Sequence, residues 1–555
     1  MCGIGGYFLK QGATAPDGVL QRMEQALRHR GPDGSTIMTE GQAGFCHTRL
    51  AIIDVEGGAQ PFVHQHENSR CLSMANGEIY NHRELRADLD QFKLASASDC
   101  EVLLPLWLRD GDGFTRQLRG MYAAALHDPG SGEGLLIRDP FGIKPLYVCE
   151  TAHGLFFASE IAALRAIGLA DTAPDQLHAA CIIDRQFAPD DLPAFPAIRR
   201  VAPGAMLVIR DGRIAKTHID APLESGMTDA TAQGMDGFEA ELHNSVEAHL
   251  MADVPLGLFF SGGVDSTAIL AALADLRSRD GHAEPILTYT VRFDRGADEE
   301  TTLAASLATS EGADFVDVPY GKADFLADAG LAALACDDAV ADYAILPTLH
   351  LARRAARDVK VVLSGEGGDE FFAGYGRYRA GLRAIGAKFP TRPGPALRAG
   401  LFSDDVTRRL AARYGRASSA MPGVLKRLAD RRAALAALQR HDIDGWLPND
   451  LLIKLDRCLM RHGLEGRTPF IDRRLSPFGF HLPLAAKIGA GGTGGGKHLV
   501  KSWLASRMPA CRPFARKRGF TVPVGAWITE DSGRLAPLVA AQEGVAELML
   551  SLIHI

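Results

Sequence analysis

The sequence has no paired cysteines. Its nine cysteines (Cys2, Cys46, Cys71, Cys100, Cys149, Cys181, Cys336, Cys458 and Cys511) are odd in number and scattered, and no two form a C-x-x-C pair. That pattern argues against a disulfide framework or a zinc site and predicts a reducing, cytoplasmic setting. No apolar run approaches the ~20 residues needed to span a bilayer, so no membrane is expected as a partner. The N-terminus lacks a basic region followed by an apolar core, so no secretory leader is expected. Positive charge is also in deficit. A net charge of −7 and a pI near 6.2 give no electrostatic case for nucleic acid or an anionic surface. What is present is an ordinary globular composition over 555 residues, too long for one core, so two or more domains are expected.

The texture changes along the chain. Residues 1–215 alternate short apolar runs with turn residues, as in Gly44–Ile53, Arg70–Ala75, Met121–His127, Gly134–Ile137, Leu146–Cys149 and Gly154–Ala158. This predicts an α+β domain rich in antiparallel sheet, with helices near Leu20–Arg28 and His82–Leu89 and a late hairpin over Met206–Ile214. Residues 216–235 read as a linker. From 236 to 549, strands at Leu256–Phe260, Ile286–Phe293, Phe315–Val318 and Val359–Leu363 alternate with helices. Those helices are Phe238–Leu250, Asp265–Leu276, Thr301–Ser310 and Pro347–Ala356. Such alternation predicts an α/β domain with a parallel sheet. Residues 376–446 read as mostly helical, with Arg-rich solvated faces. Residues 550–555 have no helix or strand logic and match an in-frame sequencing adaptor, so the natural chain is expected to end near Met549.

Three motifs carry chemistry. Cys2 follows the initiator Met. If Met1 is removed, thiol and α-amine share one residue, and the amine (pKa near ~7.7–8.0) can take the thiol proton (near ~8.5). Ser261-Gly262-Gly263-Val264-Asp265-Ser266 lies between a strand and a helix. Glycines there admit a ligand close to the backbone, N–H groups at a helix N-terminus suit pyrophosphate, and Asp265 can hold its Mg²⁺. Ser364-Gly365-Glu366-Gly367-Gly368-Asp369-Glu370 follows another strand and lands at the same sheet edge, so Asp369 can share the metal and Glu366 faces the reacting centre. Gly491 to Lys497 fits a Walker spacing, but His498 stands where Ser or Thr belongs. Gly489–Gly496 is read instead as a mobile loop delivering Lys497. For an amide hydrolase acting through Cys2, Asn76 and the Gly77 N–H would stabilise the oxyanion, Arg49 would hold a carboxylate, and Asp99 an ammonium. Each has a plainer alternative, Asp99 as a helix N-cap and Asn76-Gly77 as a hairpin turn.

Together these residues resemble the glutamine-hydrolysing asparagine synthetase family, from Cys2 to about Trp527. The likeness adds His29–Gly34, Arg49–Asp54, Asn76–Asn81, Ser98–Glu101, Arg138–Tyr147, Leu447–Asp450, Lys454–Arg457, Leu464–Asp472 and Lys497–Lys501. The resemblance implies an N-terminal-nucleophile glutaminase with stacked antiparallel sheets between helices, followed by an ATP-pyrophosphatase domain. It implies glutamine, aspartate and ATP as substrates, Mg²⁺ as cofactor, an internal ammonia tunnel, and a possible homodimer. It implies glutamine contacts from Arg49, Leu50, Ile52, Asn76, Gly77, Glu78 and Asp99. ATP contacts would come from Leu258, Ser261, Gly262, Gly263, Asp265, Ser266, Val291, Ser364 and Gly365, and metal ligation from Asp265 and Asp369. Cys2, Asn76, Gly77, Glu366, Asp456 and Lys497 would be catalytic, with Asp456 pairing with Lys497.

The sequence departs from the family where two serines give way to Leu459 and Gly463, and where Asp298-Glu299-Glu300 matches only in a shifted register. These departures are expected near the acceptor acid. They leave a rival open, the same chemistry on another carboxylate acceptor such as a cell-surface sugar, a secondary metabolite or a peptide. A silent binding protein is disfavoured because the reactive groups are all present.

Overall fold

The computed structural model describes the chain except residues 1, 170, 172, 225–233, 282–284, 295–297, 384–394, 414–429, 491–494, 516–522, 543–544 and 546–555. The tail at 550–555, the middle of the expected linker, part of the Gly489–Gly496 loop and much of 376–446 therefore lie outside the described residues.

Two six-stranded antiparallel sheets stack on each other. One contains β1 (Cys2–Leu9), β2 (Gly34–Glu40), β3 (Ala43–Arg49), β8 (Tyr147–Glu150), β9 (Gly154–Ala158) and β10 (Ile198–Arg200), in the order β10-β8-β9-β1-β3-β2. The other contains β4 (Phe62–His66), β5 (Ser69–Ile79), β6 (Gly120–Asp128), β7 (Glu133–Arg138), β11 (Ala205–Arg210) and β12 (Arg213–Ile219), in the order β12-β11-β7-β6-β5-β4. Ile4, Phe8, Phe45 and Phe157 from the first meet Leu72, Met74, Ala123, Ala125 and Leu136 from the second in one apolar layer. Helices Val19–Leu27 and Ile161–Ala166 cover the outer face of the first sheet, and helix Leu103–Asp110 that of the second. β1 is buried along its whole length, on both faces, which is why it shows no alternation of apolar and polar residues.

The second half holds a five-stranded parallel sheet of β13 (Leu256–Phe259), β14 (Leu287–Phe293), β15 (Asp314–Tyr320), β16 (Val361–Leu363) and β17 (Glu465–Arg467), ordered β15-β14-β13-β16-β17. Strand order reverses between β13 and β16, which pair with Leu258 opposite Leu363. In open α/β sheets that switch point is where a crevice forms outside the carboxyl ends of the strands. Both glycine-rich loops leave the sheet there. Helices Gly234–His249, Val264–Asp280 and His498–Arg507 pack on one face. Lys322–Ala335, Ile345–Ala355 and Leu452–Met460 pack on the other. The strand β17 and helix Lys322–Ala335 have no counterpart among the expected elements. β17 is three residues long, and its Glu-Gly-Arg sequence carries no strand signature.

Buried charge joins the two halves. Arg30, 0% exposed, donates to Asp456 Oδ1 and Oδ2 at 2.9 and 2.8 Å and to Glu160 at 2.7 Å. Arg457 donates to the Ser159 carbonyl at 3.3 Å, and Arg200 reaches Asp338 at 2.6 Å. Lys144 Nζ donates to the Gly466 carbonyl at 3.3 Å. Leu50 and Ile52 of the first half pack against Val361 and Met460 of the second.

Candidate functional site

Cys2 opens β1, with Arg49 of β3 as its register partner. Its backbone N–H donates to Asn76 Oδ1 at 3.0 Å, and its carbonyl accepts from Arg30 Nε at 3.2 Å. Cys2 is 7% exposed; burial pushes its thiol pKa up, against the Leu50 N–H that faces it. Asn76 and Gly77 lie inside β5 rather than in a hairpin turn. Gly77 has φ 151°, and a Cβ there would stand 2.0 Å from the Met121 carbonyl oxygen, so only glycine fits. Asn76 is fully buried, and its Nδ2 has no hydrogen-bond partner among the described residues. Nδ2 is thus a donor left available beside the nucleophile.

The carboxylates of this site are buried too. Asp99 caps no helix; its Oδ2 accepts the Ile79 N–H at 2.6 Å, and burial raises its pKa. Glu78, raised more strongly by burial and by Asp99, lies 3.6 Å from Arg467 of the second half. Arg49 is held by the carbonyls of Val55 and Asp54 at 2.9 and 2.6 Å. Arg30 and Arg467 were not among the expected site residues. Arg30 sits in a quoted motif, but spacing alone does not distinguish a buried arginine from a solvated one.

At the switch point, Ser261 and Ser266 close the first loop, their hydroxyls 3.3 Å apart, and the Gly263 N–H donates to Ser261 Oγ at 3.3 Å. Gly262 has φ 68°, and helix Val264–Asp280 starts immediately after. Leu258, at the end of β13, is fully buried, and Val291 in β14 is partly so. Gly365 crosses close under Asp265, a Cβ there falling 2.9 Å from that side chain. Ser364 donates its N–H to the Arg467 carbonyl at 2.8 Å.

Lys497, 3% exposed, bridges the two loops; its Nζ pairs with Asp265 and lies 2.7 Å from Asp369. Its backbone has φ 58°, and its N–H donates to the Phe372 carbonyl at 3.1 Å. A Cβ on Gly374 would come within 1.8 Å of Asp369 Oδ1 and 2.3 Å of Lys497 Cε. The expected pairing of Asp456 with Lys497 is therefore corrected. Helix Leu452–Met460 faces the first half, so Asp456 meets Arg30 and Arg457 (3.1 Å) there, while Asp265 and Asp369 hold Lys497. Two carboxylates converging on one cationic centre form a hard-oxygen donor set that fits Mg²⁺.

Leu459 is buried in a core cluster against Gly466, and Gly463, φ 61°, packs on Pro32 across the domain boundary. Asp298-Glu299-Glu300 opens helix Asp298–Ser310. Arg377 does not face solvent alone. It stacks on Tyr375 at 3.8 Å and pairs with Asp442 at 2.9 Å.

Comparison with known proteins places these sites in context. The model of the glutamine amidotransferase domain matches residues 1–219, and the asparagine synthase model matches 237–547, more than half of the chain. The chain therefore belongs to the asparagine synthase family, with a glutamine amidotransferase domain at its N-terminal end. It is 29% identical to asparagine synthetase [glutamine-hydrolyzing] 1 of Bacillus subtilis, over 96% of this chain and 88% of that protein. It is 32% identical to a putative asparagine synthetase of Mycobacterium tuberculosis, over 95% and 88%. It is also 30% identical to the amidase chyE of Penicillium rubens, over 79% and 69%.

Proposed function

We propose that the protein is a glutamine-hydrolysing asparagine synthetase. The observation that carries the reading is the pairing of two sites in one chain. Cys2 lies beside a free Asn76 donor, and two glycine-rich loops converge with Asp265, Asp369 and Lys497 at a sheet switch point.

At the first site, removal of Met1 would turn the nitrogen that contacts Asn76 into an α-amine. That amine takes the proton of the Cys2 thiol, and Sγ attacks the glutamine carboxamide. Asn76 Nδ2 and the Gly77 N–H receive the oxyanion, while Arg49 and Asp99 hold the two ends of the amino acid, with Leu50, Ile52 and Glu78 around it. Ammonia leaves, and water releases glutamate from the thioester. A closed path to the second site has a physical reason, because ammonia freed into neutral water becomes mostly ammonium.

At the second site the aspartate side-chain carboxylate attacks the α-phosphorus of ATP and pyrophosphate leaves. Ammonia then displaces AMP at the acyl carbon, near Glu366. The loops Ser261–Ser266 and Ser364–Gly365 hold the phosphates, and Lys497 moves onto the departing charge. Asp265 and Asp369 would hold Mg²⁺, which neutralises charge on pyrophosphate as it forms.

Cys2→Ala tests the division of labour. Glutamine-dependent synthesis should disappear while ammonia-dependent synthesis persists; loss of both together would overturn the two-site reading.

A further inference from the structure

One charged cluster beside the second site has a requirement that the described residues do not meet. Lys454 on helix Leu452–Met460 is 6% exposed, and its Nζ donates to Asp342 at 2.8 Å. Asp450 stands nearby in the π-helical segment Asp442–Leu451, which contains Pro448. Asp450 is 0% exposed, and neither of its carboxylate oxygens has a hydrogen-bond partner among the described residues. Glu366, partly exposed, completes the group, and these three acids all act on the charge of Lys454.

Among the described residues one cation thus serves three carboxylates, and the most deeply buried of them is left over. A buried carboxylate with no partner is costly, and burial pushes Asp450 up to about 7, against Lys454 and with Asp342 and Glu366. A widened π segment is a common way to present a side chain to a ligand. A cation brought by a ligand meets the requirement better than a neutral one, because the surrounding acids outnumber the base.

We propose that Asp450 receives a protonated amine on the acceptor, with Lys454 taking a second carboxylate of the same molecule. The acceptor class is then an α-amino acid rather than a sugar acid or simple dicarboxylate. This rests on the reading that the Glu366 loop faces a carboxylate being adenylated, and it adds which groups choose that carboxylate.

The test uses the full chain with ammonia as nitrogen donor, so that the Cys2 site is bypassed. Pyrophosphate release is measured with ATP, Mg²⁺ and either aspartate, succinate or N-acetylaspartate. The wild type should prefer aspartate over both analogues by about 100-fold or more in kcat/KM, since a site built around a charged hydrogen bond rejects analogues lacking it. Asp450→Asn should raise KM for aspartate about tenfold or more, leave KM for ATP within about twofold, and narrow the preference over succinate. Equal use of succinate and aspartate by the wild type overturns the inference without any variant. An unchanged KM for aspartate in a folded Asp450→Asn protein overturns it while leaving the synthetase reading intact. Release driven only by an acid without an amine overturns both.

Discussion

Removing Asp456 perturbs the junction between the two halves most directly. Arg30 has no exposure to solvent, and three hydrogen bonds to carboxylates satisfy it, two to Asp456 and one to Glu160. Asp456→Ala takes away two of the three and leaves Glu160 to serve Arg30, Arg457 and His29. Breaking a buried pair by removing one partner costs about 3–5 kcal/mol, and the surviving Glu160 places this case near the lower end, at about 3 kcal/mol. Asp456→Asn, which keeps the shape, should lose a large part of that. Replacing both charges, with Arg30→Met and Asp456→Leu, should recover stability relative to Asp456→Ala, because no buried cation is then left short of a partner. Guanidinium unfolding followed by fluorescence and circular dichroism reads the effect. Arg30 also holds the Cys2 carbonyl, so glutamine-dependent synthesis should fall further than ammonia-dependent synthesis in the same variants. An Asp456→Ala protein within about 0.5 kcal/mol of wild type, the range of a surface substitution, would refute the buried junction.

Three more outcomes are expected. His249 is buried against Tyr80, with Nδ1 donating to Ser245 O, and burial depresses its pKa to about 4. The unfolded chain binds that proton below ~6.5 and the folded one only near 4, so this contribution is whole above pH ~6.5 and is lost as pH falls towards 4. The loss amounts to about 2 kcal/mol by pH ~5, and His249→Gln should flatten the difference in urea midpoint between pH ~7.5 and ~5. Gly374→Ala should abolish pyrophosphate release, because the added carbon takes the space of Asp369 and Lys497; full activity would show that this turn is not packed as described. Asp265→Asn or Lys497→Ala should stop pyrophosphate release while glutamine hydrolysis survives, measured as glutamate formed; retained release would sink their assignment.

Much of this was legible in the chain. The short apolar runs at Gly154–Ala158 and Met121–His127, bounded by turn residues, and the strand–glycine–helix order around Ser261 gave local structure directly, because run length and turn chemistry are local properties. The two loops were expected at one sheet edge, and the β13–β16 pairing puts them there. What spacing did not reveal depends on contacts between distant segments. Asp456 sits where a Lys497 partner was expected, but which way its helix faces is decided by the first domain. Cys2–Leu9 shows no alternation because a strand buried on both faces needs none. Asp450 falls within the Leu447–Asp450 segment of the resemblance, but its role gave no signal, since an unpartnered buried acid looks in sequence like any other aspartate.

The central claim is that one chain couples glutamine hydrolysis to adenylation of aspartate. The measurement that tests it most directly is pyrophosphate release by the purified protein with ATP, Mg²⁺ and glutamine, with and without aspartate, with asparagine quantified in the same samples. The account predicts release that requires aspartate and matches asparagine formed mole for mole. Glutamine hydrolysis with no aspartate-dependent pyrophosphate would contradict it.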